Sequence, residues 1–311
     1  MVRVAIAGGT GNVSKELVYI LGQSGRHEIQ VLTRSKPPEQ NVKGVTFVQV
    51  DYNNKKDLAE KLSGVHTLLC FISSIDLQKA LIDTCVEVGV KRYAPNEWAA
   101  RSYNGSFAYH EKDEVYEYLK KINQETKVLE YCLFQPGIFM NYLSSPLPST
   151  TYHPVYTGMF DIQNRRALVP EQGDYRITMT TIQDLALVID EALAFEEAWP
   201  VIGGISGSTT TSSEIIKVAE SIRGPFEIIK VSQANLEAGK LGVSWDTRLK
   251  KPPHIDVGQD WETFTHYVVA EIMRGALKGT WEVSDEWNKL LPHVHLTTIE
   301  EFLVKIWKDR L

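Results

Sequence analysis

The feature that most constrains this chain is an apolar run that ends in glycines. Val2–Gly8 reads VRVAIAG and passes directly into Gly9-Thr10-Gly11-Asn12-Val13-Ser14. A short continuous apolar run bounded by glycine predicts a strand buried on both faces. Asn12–Gln23 then carries apolar residues at Val13, Leu17, Val18, Ile20 and Leu21, which is helical spacing. Ile29–Arg34 is a second strand-like run. Strand, glycine turn, helix and strand make a βαβ unit with a right-handed crossover. The alternation continues through strands at Thr46–Asp51, Thr67–Ile72, Arg92–Pro95 and Leu129–Phe134. Helices are expected between them at Lys55–Leu62, Leu77–Val88 and His110–Gln124.

This pattern predicts an α/β fold, a Rossmann-type parallel sheet with helices on both faces. After Pro136 the alternation stops, and Ser144–Pro154 (SSPLPSTTYHP) reads as a loop or a change of domain. Helices are expected at Ile182–Phe195, Ser212–Ile222 with Ser212 as its cap, Trp261–Lys278 and Thr298–Lys308, with a strand at Phe226–Val231. Thr298 and Glu301 have capping-box spacing. The expected organisation is a dinucleotide-binding domain over 1–153, which also takes in about 176–200, and a smaller, mostly C-terminal α/β substrate domain over 154–311. A length of 311 residues accommodates two such units.

Composition narrows the functional classes. Hydrophobic residues make up 43% and charged residues 23%, which excludes a disordered or fibrous chain. A net charge of −6 disfavours nucleic acid as a partner, because phosphate contacts need a basic surface. Cys70, Cys85 and Cys132 sit in apolar segments without CxxC spacing, as expected of reduced thiols in a cytoplasmic protein. The first residues already read as a strand, so no signal peptide is expected, and no run approaches the ~20 apolar residues of a membrane span. His293-x-His295 lacks a third ligand, so no metal is expected.

The glycine turn carries the first chemistry. Gly8, Thr10, Gly11, Asn12 and Val13 lie where a backbone can approach a pyrophosphate and a helix N-terminus can face it. The third small position is Ser14 rather than Gly or Ala. An NAD site places a carboxylate at the end of the second strand to hold the ribose 2′-hydroxyl. Here the strand ends Thr33-Arg34-Ser35-Lys36, and Arg34 and Lys36 can pair with a 2′-phosphate, so NADPH is the expected cofactor. Asp51 closes the third strand near the expected adenine, and Phe71, Ile72 and Ser73 close the fourth near the nicotinamide-side ribose.

With these residues in hand, the chain resembles the NmrA-like / isoflavone-reductase-like group of atypical short-chain dehydrogenases/reductases. The resemblance rests on GGTGNV at the first turn, Arg34, Arg92-Tyr93-Ala94-Pro95-Asn96-Glu97-Trp98 and Tyr109-His110-Glu111-Lys112. It continues through Gln135-Pro136-Gly137-Ile138-Phe139, Thr181-Ile182-Gln183-Asp184-Leu185-Ala186 and Leu296-Thr297-Thr298-Ile299-Glu300-Glu301-Phe302. It implies an NADPH-binding domain, a smaller substrate domain and a cleft between them. Reductases of the group use one helical lysine, and the matching position is Lys112. Asn96 stands where the group more often has Ser. The Tyr-x-x-x-Lys pair of the wider superfamily is absent, because Ala108 occupies the tyrosine position.

Lys112 is therefore the expected catalytic group, as proton donor or charge stabiliser, with Tyr109 on the same helical face. Lys112, Pro136 and Phe139 join the expected cofactor contacts, and Asn96, Phe139, Tyr142, Tyr152 and Phe160 the substrate contacts. Glu97 reads as a loop-positioning or capping residue. The expected activity is NADPH-dependent reduction of a carbonyl or conjugated double bond in a small aromatic or polyketide-like metabolite, by a monomer or homodimer with no membrane partner. A dinucleotide-binding redox sensor without turnover, or a redox-neutral dehydratase or isomerase, are the alternatives on the same scaffold.

Overall fold

The computed structural model describes residues 1–35, 42–103, 110–251, 257–258 and 260–310. Lys36 and Tyr109 lie outside the described residues. In chain order the elements begin β1 (Arg3–Ala7), α1 (Asn12–Ser24), β2 (Glu28–Thr33), β3 (Val45–Gln49), α2 (Lys55–Leu62) and β4 (Thr67–Cys70). Next come α3 (Ile75–Val88), β5 (Arg92–Ala94), α4 (His110–Ile122), β6 (Glu130–Tyr131), β7 (Leu133–Gln135) and β8 (Ile138–Phe139). A short 3-10 turn over Met140–Ser144 precedes β9 (Phe160–Asp161), β10 (Arg166–Pro170), β11 (Arg176–Thr180) and α5 (Ile182–Ala194). The chain ends with β12 (Ile202–Gly204), β13 (Ser208–Thr211), α6 (Ser212–Arg223), β14 (Glu227–Val231), α7 (Gln233–Glu237), α8 (Trp261–Leu277), α9 (Glu286–Leu290) and α10 (Ile299–Trp307).

These elements form two compact units. The first comprises Met1–Pro136, Ile182–Ile205 and Ser284–His295. Its six-stranded sheet has the order β3-β2-β1-β4-β5-β6, every neighbouring pair parallel. Val4 to Ala7 of β1 are fully buried, as the continuous apolar run requires. The strand order reverses beside β1, so the carboxyl end of β1 is the topological switch point where open α/β sheets bind ligands. Helix α1 buries Leu17, Val18 and Leu21 and packs on α5.

The run expected as one strand over Leu129–Phe134 is divided. Glu130–Tyr131 stays in the six-stranded sheet, whereas Leu133–Gln135 pairs with β12. The amide of Cys132 donates to the Tyr93 carbonyl (3.1 Å) and that of Leu133 to the Val201 carbonyl (2.9 Å). The change of partner follows from Pro95, which ends β5 and has no N–H to extend the ladder.

Arg92 of β5 ties this edge together. Its guanidinium pairs with Glu130 (2.7 Å), donates to the carbonyls of Phe195 (2.7 Å) and Glu197 (2.6 Å), and lies 5.0 Å from the Trp199 ring centroid.

The second unit comprises Gly137–Thr181, Ser206–Val283 and Leu296–Leu311. It holds one sheet ordered β14-β10-β9 and another ordered β13-β11-β8. The chain enters it at Gly137, well before residue 153. Gly137 has φ +71°, and a Cβ there would stand 2.2 Å from the Thr178 carbonyl oxygen, so only glycine lets β8 pair with β11. Thr211 rather than Ser212 caps α6, in a capping box with Glu214. The Ser212 hydroxyl is instead engaged by Asp174. Thr298 and Glu301 form the expected capping box of α10.

Arg92→Met should destabilise the first unit by about 3 kcal/mol, because it breaks the buried pair with Glu130 and removes the guanidinium donor from two carbonyls. Urea denaturation followed by circular dichroism measures this. A loss below about 1 kcal/mol would show that the buried guanidinium is not the tie described.

Candidate active site

The glycine turn between β1 and α1 is held from within. The Gly11 amide donates to the Gly8 carbonyl (3.2 Å), and the Ser14 hydroxyl donates to the carbonyls of Gly8 (2.8 Å) and Gly11 (3.0 Å). Ser14 is 1% exposed, so the third small position serves close helix–strand packing with its hydroxyl satisfied locally. Gly8 has φ +75°, and a Cβ would fall 2.9 Å from the Phe71 carbonyl carbon. The turn and the end of β4 therefore touch backbone to backbone. Gly11 is the N-cap of α1 and supplies no side-chain hydrogen bond to the first-turn amides. Such a bare helix start with exposed Thr10, Gly11 and Asn12 suits an anionic ligand group. Val13 is half-buried behind it.

At the carboxyl ends of β2 and β3 lies a depression of ≈ 620 Å³, lined by Arg34, Gln49, Val50, Asp51, Tyr52, Asn53, Asp57, Lys61 and Leu77. Arg34 is exposed and makes no ion pair among the described residues. The acidic side chains here are turned to backbone donors. Asp51 accepts from the Asn53 amide (3.0 Å) and Asp57 from the Asp51 amide (2.8 Å). No carboxylate replaces Arg34 at the end of β2, so these residues fit a 2′-phosphorylated adenosine better than a free 2′-hydroxyl.

Phe71, Ile72 and Ser73 follow β4, with Phe71 and Ile72 half-buried and Ser73 exposed. Phe71 stacks on Trp98 at 4.4 Å between centroids, 8° from parallel. Trp98 has φ +38°, an unusual backbone state for a bulky residue, and its indole N–H donates to the Cys70 carbonyl (2.7 Å). The stretch Pro95–Trp98 is thereby pinned over the end of β4. The Asn96 amide takes the Gln78 side-chain oxygen (3.1 Å), which makes Asn96 part of this pinned turn.

Lys112, in the first turn of α4, is half-buried and donates from Nζ to the Glu97 carbonyl oxygen. Burial pulls its ammonium down to about 8, and the nearby Glu97 and Asp113 carboxylates oppose that fall. Glu97 is 2% exposed. Its Oε1 accepts from Ser102 Oγ (2.9 Å) and Gln135 Nε2 (2.9 Å), and the latter amide also donates to Ser102 (2.9 Å). Burial raises the Glu97 carboxyl above its ordinary range, against the pull of Lys112 and these donors. Sequence reasoning did not assign Gln135 or Ser102 to this group, and no motif signals their convergence. Pro136 is buried directly after Gln135, at the end of the first unit's first segment.

The remaining expected contacts lie in the second unit. Phe139 and Tyr142 gather with His153 and Tyr156. Ring centroids are 5.4 Å apart for Phe139 and His153 and 4.2 Å for Tyr142 and Tyr156. The Tyr142 hydroxyl lies 2.9 Å from His153 Nε2. Burial pushes the Tyr156 phenol up to about 12, so it stays a neutral donor. His153 completes this cluster without having been assigned to it. Tyr152 is 38% exposed, and Phe160 is 4% exposed inside β9, opposite Ala167. Among the described residues no group of three His, Cys, Asp or Glu side chains could hold a metal, and no helix is long and apolar enough to cross a membrane.

The chain is similar to known proteins in sequence and in fold. The model of the NmrA-like family matches residues 2–227. Oxidoreductase BOA1 of Botryotinia fuckeliana is 30% identical over 240 residues, covering 72% of this chain and 77% of that protein. The structure of NADPH-dependent quinone oxidoreductase QOR2 from Escherichia coli, complexed with NADPH, superposes with a TM-score of 0.69 at 20% identity, covering 97% of this chain and 99% of the other. AtPrR2 with NADP+ and (+)-pinoresinol also gives 0.69, at 18% identity and 98% coverage of both chains. At these identities the solved structures show a shared fold.

The turn geometry predicts a clean separation of binding from folding. A Cβ at Gly11 would meet only the Ser14 hydroxyl at 3.3 Å and the Gly8 carbonyl oxygen at 3.7 Å. Gly11→Val should leave the circular-dichroism spectrum native while weakening NADPH by roughly 10²-fold or more, since the branched side chain occupies the anion approach. Unchanged affinity in a fluorescence titration would place the phosphates elsewhere.

Proposed function

The chain belongs to the NmrA-like family, and from that premise we propose that it is an NADPH-dependent reductase of a small aromatic or polyketide-like metabolite bearing a carbonyl or conjugated double bond. The observation that carries this reading is the half-buried Lys112 ammonium, fixed on the Glu97 carbonyl and lowered to about 8. It is an oxidoreductase by its relationship to curated proteins named as such, and NADP(H) is its cofactor. Gly8, Thr10, Gly11, Asn12 and Val13 would hold the pyrophosphate, Arg34 the 2′-phosphate and Asp51 the adenosine side. Phe71, Ile72, Ser73, Lys112 and Pro136 of the first unit would face the nicotinamide half. When bound, NADPH supplies the hydride.

The protein's own task is then to manage charge and protons. Reduction of a carbonyl or enone builds negative charge on oxygen, and a cation or proton donor at that oxygen lowers the barrier. Lys112 Nζ supplies both, and its lowered basicity makes it a better proton donor than an exposed lysine. The rings of Phe139, Tyr142, His153 and Tyr156, all of the second unit, support an aromatic ligand, with the Tyr142 hydroxyl as a polar contact.

Arg34→Ala should weaken NADPH far more than NADH, because only the former loses a charge-assisted contact. Equal losses in parallel titrations would remove Arg34 from the 2′-phosphate site.

Lys112→Ala should lower kcat by roughly 10²-fold or more while NADPH affinity changes little. Lys112→Arg should fail to restore the rate if a proton is relayed, because the guanidinium does not deprotonate. In the wild type the ammonium exists below its midpoint, so the rate should fall as pH rises through about 8. Steady-state assays against aromatic ketones, enones and quinones measure these effects, and a fully active Lys112→Ala enzyme would end the assignment.

A further inference from the structure

We propose that Glu97 is the positioning residue of this site: its carbonyl fixes where the Lys112 ammonium sits, and its buried carboxylate keeps that ammonium charged. The catalytic consequence rests on the reading of Lys112 above, but the electrostatic claim does not. The geometry is specific. One residue presents two acceptors, the carbonyl taking Lys112 Nζ and the carboxylate taking Ser102 and Gln135 at 2.9 Å each. Both donors address the same oxygen, Oε1, so Ser102 and Gln135 fix the orientation of the carboxyl group.

The turn that carries Glu97 is held on either side. The Glu97 amide closes back on the Pro95 carbonyl (2.7 Å), and Trp98 sits at φ +38° with its indole clamped to Cys70 and stacked on Phe71. Such strain persists only where surrounding contacts impose it. A carboxylate that is 2% exposed costs several kcal/mol to desolvate, and here it belongs to the residue whose carbonyl holds the Lys112 ammonium. A solvated helix cap would need neither the burial nor the strain.

Among the described residues the charges that act on Lys112 are Glu97, from the turn after β5, and Asp113, from α4 itself. Asp113 is half-buried and accepts the Tyr103 amide (2.8 Å), and burial raises its carboxyl against the opposing pull of His110 and Lys112. Burial drives Lys112 toward the neutral amine, and the two carboxylates resist. Neutralising Glu97 removes the larger of the two opposing influences, so Lys112 should deprotonate at lower pH.

The test is competitive acetylation of the full-length protein across pH 6–11, with Lys112 reactivity read by mass spectrometry. In Glu97→Gln, an isosteric neutral change, the Lys112 midpoint should fall by about one pH unit or more. Glu97→Asp, which keeps the charge, should hold it near wild type. In any active preparation the alkaline fall of kcat should move down with the midpoint, which a purely structural role would not produce. If Glu97→Gln does not fold, the reciprocal measurement applies. Lys112→Met should raise the Glu97 carboxyl midpoint, followed by ¹³C NMR, by a comparable amount, because the coupling is mutual. An unmoved midpoint in whichever variant folds overturns the proposal. A fully active Lys112→Ala enzyme would instead overturn the catalytic reading and leave the labelling result standing.

Discussion

The backbone contact between Gly8 and Phe71 is the constraint on which the candidate site depends. Parallel pairing of β1 with β4 brings these residues together, with Ala7 opposite Cys70 and the Phe71 amide donating to the Ala7 carbonyl at 2.8 Å. A side chain at Gly8 would enter the Phe71 backbone, so the phosphate-facing turn and the end of β4 can meet only through glycine. Phe71 then carries Trp98 on its ring, Trp98 follows Glu97, and Glu97 holds Lys112. The switch point of the sheet thus connects through short contacts to the group that would manage the proton.

The same turn is braced by aromatic packing. Trp98 stacks on Phe134 at 5.7 Å, and Phe134 stacks on Trp287 at 5.5 Å, each within 7° of parallel. Trp199 meets Phe134 edge-on at 5.3 Å and receives the Arg92 guanidinium on its face. Flat rings in a column resist bending and leave few rotamers open, which stiffens a turn that has little regular secondary structure. Stiffness matters because the Lys112 ammonium is useful only if its carbonyl anchor does not move.

Electrostatics in the first unit separates two uses of charge. Arg34 is exposed and unpaired by acids among the described residues. Lys112 and Glu97 are withdrawn from water and tune one another, the cation lowered to about 8 and the acid raised. Burial sets both shifts, and proximity limits them. In the second unit the ring cluster around Tyr142 brings its phenol and the His153 imidazole to 2.9 Å.

Local sequence determined the parallel α/β core. The apolar runs, the glycine turn and the helical spacing of α1 to α4 act within a few residues, and pattern reveals them. The positions of Arg34, the glycine turn and Lys112 at the ends of their elements were legible for the same reason, each tied to an adjacent element or to a continuous motif. The strands β8, β9 and β12, of two or three residues, are too short for periodicity to emerge, and β7 changes sheets because Pro95 cannot extend β5. The partners of Glu97 were not legible either. Lys112 lies 15 residues away in sequence and Gln135 lies 38 away. Only the folded sheet brings β5, α4 and β7 into one buried group. The sequence by itself placed a lysine at the start of a helix. Tertiary structure decided that it is half-buried, anchored on a strained turn and coupled to a carboxylate, because burial and distance are properties of the packed chain.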